Sequence, residues 1–120
     1  MEKIKCICIM RELFTALSDL ESRLMDTYGV SLNEAMVLCS IGNERVSAGV
    51  VIERTGLSAS HASKVLGAAE KKGFLTRVLG EQDKRQMYFT LTEEAKNVLT
   101  RIKDHGVEVP DVLLPLFKEA

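Results

Sequence analysis

The stretch T-G-L-S-A-S-H-A-S-K-V-L-G-A-A-E-K-K-G-F-L-T-R-V-L-G-E-Q-D-K-R-Q-M-Y-F-T-L-T, Thr55 to Thr92, decides the fold. Ser58 stands directly before a helical run from Ala59 to Lys72, where a short hydroxyl can accept from an orphan N–H of the first turn. Gly73 closes the run, as a residue tolerant of positive φ does at a helix C-terminus. Phe74–Leu79 and Gln86–Leu91 read as strands. In the second, Met87, Phe89 and Leu91 alternate with Gln86, Tyr88 and Thr90, the period of a half-buried strand. The charged turn Gly80–Arg85, G-E-Q-D-K-R, joins them as a hairpin.

The flanking residues extend this pattern. Upstream, Ser47 caps a helix over Ala48–Arg54 that Gly56 ends, and Val46 contributes a very short strand. Ser31 and Glu34 form the capping box S-L-N-E, which opens a helix over Ala35–Ile41 that Gly42 and Asn43 end. Downstream, Thr92 caps a helix with Glu93 and Glu94 in its first turn, where the helix dipole favours acids. Its apolar stripe is Ala95, Val98, Leu99 and Ile102, and Gly106 ends it. Helix, turn, helix, hairpin in this order is a winged helix-turn-helix, a mainly α (α+β) fold.

The helix over Ala59–Lys72 has two distinct faces. Ala62, Val65, Leu66 and Ala69 recur at i, i+3, i+4 and i+7 and face inward. At about 100° per residue the opposite face holds Ser60, Lys64, Gly67 and Lys71, with His61 and Ser63 on its flanks. A face so small at its N-terminus fits a major groove roughly 12 Å wide. Lys71 and Lys72 read equally as phosphate contacts or as a solvated helix end. Charge is distributed to match. Residues 47–85 carry seven Lys/Arg against four Asp/Glu, while residues 1–46 carry five against seven and residues 86–120 four against six. The chain is −1 overall, yet the winged-helix stretch is +3, the sign that phosphate contact requires.

The two ends are apolar. Cys6, Met10, Leu13, Leu17, Leu20 and Leu24 form a seam at helical period, widened by Ile7, Phe14 and Tyr28. The beginning K-I-K-C-I-C-I-M also suits a strand, because β-branched residues are dense and no N-cap is visible. A helix with so broad an apolar face needs a partner surface. The tail V-L-L-P-L-F after Pro110 and Asp111 needs one too, on a second subunit or on the first helix. Residues 1–28 and 107–120 are therefore expected to be dimerisation helices, with Leu13, Leu17, Leu20, Leu113 and Leu116 in the contact. Residues 31–105 are the expected winged-helix core of a single domain.

Bulk properties narrow the function. A chain of 120 residues, 46% hydrophobic and 28% charged, is an ordinary globular domain. No apolar run is long enough to span a membrane and no signal peptide is evident, which makes a cytoplasmic protein the expectation. The cysteines, Cys6, Cys8 and Cys39, are odd in number and lack a C-x-x-C, against a disulfide framework. With His61 and His105 far from them in sequence, no metal site or cofactor is indicated. Cys39, inside the second helix's apolar run, is expected to pack. Nucleophile-elbow, phosphate-loop, dinucleotide and zinc-protease motifs are all missing, so no enzyme is expected.

The run L-S-A-S-H-A-S-K-V-L-G-A-A-E-K-K-G-F-L-T-R, followed by D-K-R and L-T-E-E-A, resembles the MarR family of bacterial transcriptional regulators over roughly residues 30 to 100. The resemblance implies a homodimeric repressor on a pseudo-palindromic operator, with a recognition helix in the major groove and a wing in the minor groove. By position it places Ser58, Ser60, His61, Ser63 and Lys64 at the start of the recognition helix. Asp83 and Arg85 match the family's wing acid and groove-inserted arginine, with Lys84 between them. Arg85 would enter the narrow groove, where negative potential favours a guanidinium, and Asp83 would hold it. Lys84 and Lys64 would meet phosphates. The chain departs from the family in having Ala59 and Lys64 where arginine is frequent, and in being short at its C-terminus. The resemblance also implies control by a small aromatic or lipophilic molecule. Two alternatives stand beside it: a repressor switched by oxidation of Cys6 or Cys8, since one branch of the family senses peroxides through an N-terminal cysteine, and a winged-helix protein-interaction module that does not bind DNA.

Overall fold

A computed structural model of the chain describes residue 3 and residues 6–82 and 85–117. The capped segments form helices α1 (Ile7–Tyr28), α2 (Leu32–Ile41), α3 (Ala48–Thr55), α4 (Ala59–Lys71) and α5 (Glu93–His105). Strands β1 (Val46–Ser47), β2 (Leu75–Leu79) and β3 (Met87–Leu91) form an antiparallel sheet in the order β1-β3-β2. This is the winged helix-turn-helix read from the sequence: α3 and α4 form the helix-turn-helix, and the β2–β3 hairpin is the wing.

Local chemistry sets the boundaries. Ser31, Ser47, Ser58 and Thr92 each accept a backbone N–H with the side chain, at Glu34, Val50, His61 and Ala95 respectively. The capping box at α2 is complete in both directions. Of the start that also suited a strand, Ile7–Met10 is helix although the N-cap, Cys6, makes no side-chain cap bond, and Ile4 and Lys5 lie outside the described residues. Amphipathic period outweighs β-branching there. Gly29 ends α1 at φ 76°, a left-handed geometry that other side chains adopt only with strain.

The core lies between α2, α3, α4, α5 and the sheet. Leu38, Ile41, Val30, Val37 and Val51 are its largest fully buried side chains. On α4 the buried residues are Ala62, Val65, Leu66 and Ala69, the inward face read from the helical wheel. Phe89 is buried and pairs with Val46 on one side and Arg77 on the other, so the central strand carries the sheet's main apolar contact.

The end of α1 is fastened to the end of α5. Tyr28 is buried, and its hydroxyl donates to the Gly106 carbonyl at 2.6 Å. The Arg101 guanidinium lies 5.2 Å from the Tyr28 ring centroid, and Arg23 donates to the Glu108 carbonyl at 3.1 Å. Residues 107–110 are not helical, so the helix expected over 107–120 is reduced to a 3₁₀ turn, Asp111–Leu113, and a short α6, Leu114–Phe117. Prolines account for this. Pro110 cannot donate within a helix, and Pro115 is tolerated only in a first turn. Residues 118–120 lie outside the described residues.

Arg54 ties α3 to the turn between α2 and β1. It donates to the Ser40 carbonyl at 2.8 Å and to both Glu44 carboxylate oxygens at 3.0 and 3.2 Å. That hydrogen bonding, reinforced by the guanidinium charge, holds the Glu44 carboxyl below the usual carboxylate range. The same bond to Glu44 raises the pKa of Arg54.

Two outcomes follow from the packing and this pair. Leu38→Ala removes a fully buried side chain and should cost about 2–5 kcal/mol in urea unfolding. Because the folded pKa of Glu44 is depressed, the pair's stabilisation is present above the unfolded carboxylate pKa. It is lost as pH falls through the lower folded value. Glu44→Gln should therefore be less stable than wild type at neutral pH and converge with it in acid, read as two urea midpoints across that range.

Candidate nucleic-acid interface

The exposed side of α4 begins at its cap. Ser58 accepts from the His61 N–H at 3.2 Å, which leaves the Ser58 hydroxyl proton available to an outside acceptor. Ser60, His61, Ser63 and Lys64 are all exposed on the first two turns of α4. The Asn33 amide nitrogen lies 3.3 Å from His61 Nε2, within hydrogen-bond distance. This contact connects the start of α4 to the start of α2. Ser58, Ser60, His61, Ser63 and Lys64 thus lie together on one surface, with small hydroxyls leading and a cation a turn behind.

The wing is braced by two arginines to which sequence patterns assign no role. Arg77 of β2 donates to Glu70 of α4 at 2.8 Å, and its guanidinium lies 5.3 Å from the Phe89 ring centroid. The hairpin is thereby joined to the flank of α4. Arg45, just before β1, donates to the Leu79 carbonyl at 3.1 Å and lies 5.1 Å from the Tyr88 ring centroid. Gly80 N–H donates to the Gln86 carbonyl at 2.8 Å and closes the ladder at the base of the loop. Arg85 is exposed in the turn that enters β3. Asp83 and Lys84 fall outside the described residues.

Not every cation of the stretch faces outward unengaged. Arg54 is taken up by Ser40 and Glu44. Lys72, read as a phosphate contact or a solvated end, instead bonds Glu34 at 2.7 Å and the Gly29 carbonyl at 3.1 Å. Lys71 is exposed. These pairings join residues far apart in sequence, and no local pattern signals them.

The apolar ends divide into covered and uncovered parts. Leu13 and Leu20 are half-buried, while Leu17 is 47% and Leu116 78% exposed. Ile7, Phe14 and Phe117 are exposed as well. Leu113 differs: it is buried within its own chain, where the 3₁₀ turn rests on α1. Cys6 and Cys8 are exposed, and so is Cys39, which corrects the packed position expected for it. Glu34, Val37, Leu38 and Ile41 occupy the inner face of α2, and the helical turn carries Cys39 away from them.

No helix among the described residues is long and apolar enough to cross a membrane. No group of three or more His, Cys, Asp or Glu among them could hold a metal ion. The surface offers hydroxyls, an imidazole and cations over a rigid support, which suits recognition of an anionic polymer.

Comparison with known proteins agrees with this arrangement. The model of the MarR family matches residues 28–86, from the end of α1 through the wing. The chain is 34% identical over 71 residues to YfiV, an uncharacterized HTH-type transcriptional regulator of Bacillus subtilis (strain 168). That match takes in 59% of this chain and 43% of YfiV, so the chain spans less than half the length of this curated relative. Among solved structures, the S. aureus MepR–DNA complex superposes with a TM-score of 0.71 at 12% identity, over 85% of this chain and 77% of that one. BpsR of Bordetella bronchiseptica, whose DNA binding is regulated by 6-hydroxynicotinic acid, gives 0.70 at 14% identity, over 83% and 72%. At such identities the structural likeness speaks for the fold. The match over residues 28–86 assigns the winged-helix segment of the chain to the MarR family.

Proposed function

We propose that this chain is a DNA-binding transcriptional regulator, a repressor that holds a pseudo-palindromic operator as a homodimer in the cytoplasm. The observation that carries the reading is the exposed face of α4. Its small polar N-terminal residues, with Lys64 a turn on, stand on a helix whose other face is fully committed to the core. α4 enters the major groove with Ser58, Ser60, His61 and Ser63 near bases and phosphates, and Lys64 meets the backbone. The wing turn carries Asp83, Lys84 and Arg85 to the neighbouring minor groove, with Arg85 inserted, Asp83 holding it and Lys84 on phosphate. Few long side chains on α4 reach base edges, so the wing, phosphates and DNA shape carry much of the affinity.

The homodimer rests on α1 and the C-terminal segment. Ile7, Phe14, Leu17, Leu116 and Phe117 are large apolar side chains left exposed on these two segments, the kind of surface a partner covers. Leu13 and Leu20 border that surface. Leu113 supports the contact from beneath by holding the 3₁₀ turn on α1. Control by a small aromatic or lipophilic molecule belongs to the same reading, and the structural likeness to the ligand-regulated BpsR supports it.

Selection of bound sequences from random duplexes by the purified protein tests the proposal and yields half-site spacing. A DNA reader loses affinity steeply as salt rises, in proportion to the phosphates it contacts. A protein-interaction module shows no such dependence. Arg85→Ala should weaken operator binding by about 1–3 kcal/mol per site, the scale of one good groove contact. An unchanged dissociation constant in the folded variant would remove the wing from the interface. Leu17→Asp should convert a dimer to a monomer in sedimentation. A variant that still sediments as a dimer would show that this seam does not hold the subunits together.

A further inference from the structure

Four helix ends meet at one point of the fold. Lys72, the C-cap residue of α4, donates to Glu34 Oε1 at 2.7 Å and to the carbonyl of Gly29, the C-cap of α1, at 3.1 Å. Glu34 Oε1 also accepts the Ser31 N–H that opens α2, at 2.9 Å. Beside them the Thr92 hydroxyl, the cap of α5, donates to the Gly73 carbonyl at 2.8 Å. Glu34 is the only buried charged residue among those described, at 5% exposure. A carboxylate held out of water requires a partner, and Lys72 supplies it.

We infer that Lys72 is a positioning residue, which with Glu34 locks the recognition helix to the end of α1. This rests on the DNA-binding reading of α4 and on α1 as the dimer helix. The ammonium spans the gap between the two. Its bond to the Gly29 carbonyl reaches the last turn of α1, and its bond to Glu34 reaches the first turn of α2. If α1 sets the relation between subunits, the angle between α1 and α4 sets the separation of the two recognition helices. That separation must match half-sites about one helical turn, ~34 Å, apart. The ion pair is therefore a determinant of operator spacing. It lies at the C-terminal end of α4, away from the serines that face the groove.

The test uses the full chain, with wild type, Lys72→Met and Glu34→Gln. Binding is measured to the selected operator and to the same duplex with one base pair inserted between half-sites, across a salt series. Thermal unfolding confirms that each variant is folded. Both variants should bind the operator roughly tenfold more weakly, the size of an ordinary coupling between sites, and pay a smaller penalty for the insertion. The salt slope should not change. Glu34→Gln discriminates sharply. Removing a negative charge would tighten DNA binding by simple electrostatics, whereas loss of the lock weakens it. Combining the two changes should cost no more than the worse single change. Tighter binding by Glu34→Gln, or a slope reduced by about one phosphate in Lys72→Met, would overturn the inference. So would unchanged affinity and unchanged insertion penalty in both folded variants. If Lys72→Met does not fold, Glu34→Gln decides alone. If wild type binds no duplex, the DNA-binding reading fails and this inference with it. If wild type binds and the folded variants match it, only the inference fails.

Discussion

The alanines on the inner face of α4 govern how closely the molecule's parts approach one another. Ala62 and Ala69 are completely buried, and they bracket Val65 and Leu66 on the same face. A methyl group lets the backbone of α4 come close to α2, α3 and the sheet, and interiors packed at crystal density leave little room for a larger one. That close seating gives the outer face its form. A helix pressed into the core along one side can present only the opposite side, and here that side begins with serines and a histidine.

Polar contacts then orient what packing has seated. Dispersion and burial hold α4 in place but are non-directional. The bonds from Arg77 to Glu70, Asn33 to His61 and Lys72 to Glu34 are directional, and they act on the flank, the start and the end of the same helix. The first joins it to β2 of the wing. The third joins it to α2, and the companion bond from Lys72 to the Gly29 carbonyl joins it to the end of α1. An interface built of two elements needs them at one relative position, and a few kcal/mol of misorientation is a large share of a binding free energy.

Most of the uncovered apolar side chains lie along α1 and in the segment around α6, with Leu32, Met36 and Leu79 elsewhere. The single chain covers only part of α1. Leu24 and Tyr28 at the end of α1 are buried against the winged-helix core, whereas Ile7, Phe14 and Leu17 nearer its start are exposed. The helix therefore serves two neighbours along its length, its own core at one end and a partner at the other in the homodimer proposed.

The sequence by itself determined whatever depends on neighbours along the chain. Ser31 and Glu34 are three apart, so their capping box is legible in the order of residues alone, as are the caps at Ser47, Ser58 and Thr92. The inner face of α4 follows from the period of a helix and appears as read, whereas the alternation of β3 shows at buried Phe89 and Leu91 but not at Met87 and Tyr88, which are both half-buried. Only the tertiary structure decided what joins distant residues. Lys72 and Glu34 are 38 residues apart and Arg45 and Leu79 are 34 apart, and nothing local to either pair announces the contact. Cys39 sits in an apolar run yet faces outward, and Leu113 lies in an apolar tail yet is buried in its own chain. Periodicity ranks the faces of one element, whereas burial depends on which other element arrives to cover them. That depends on the path of the whole chain.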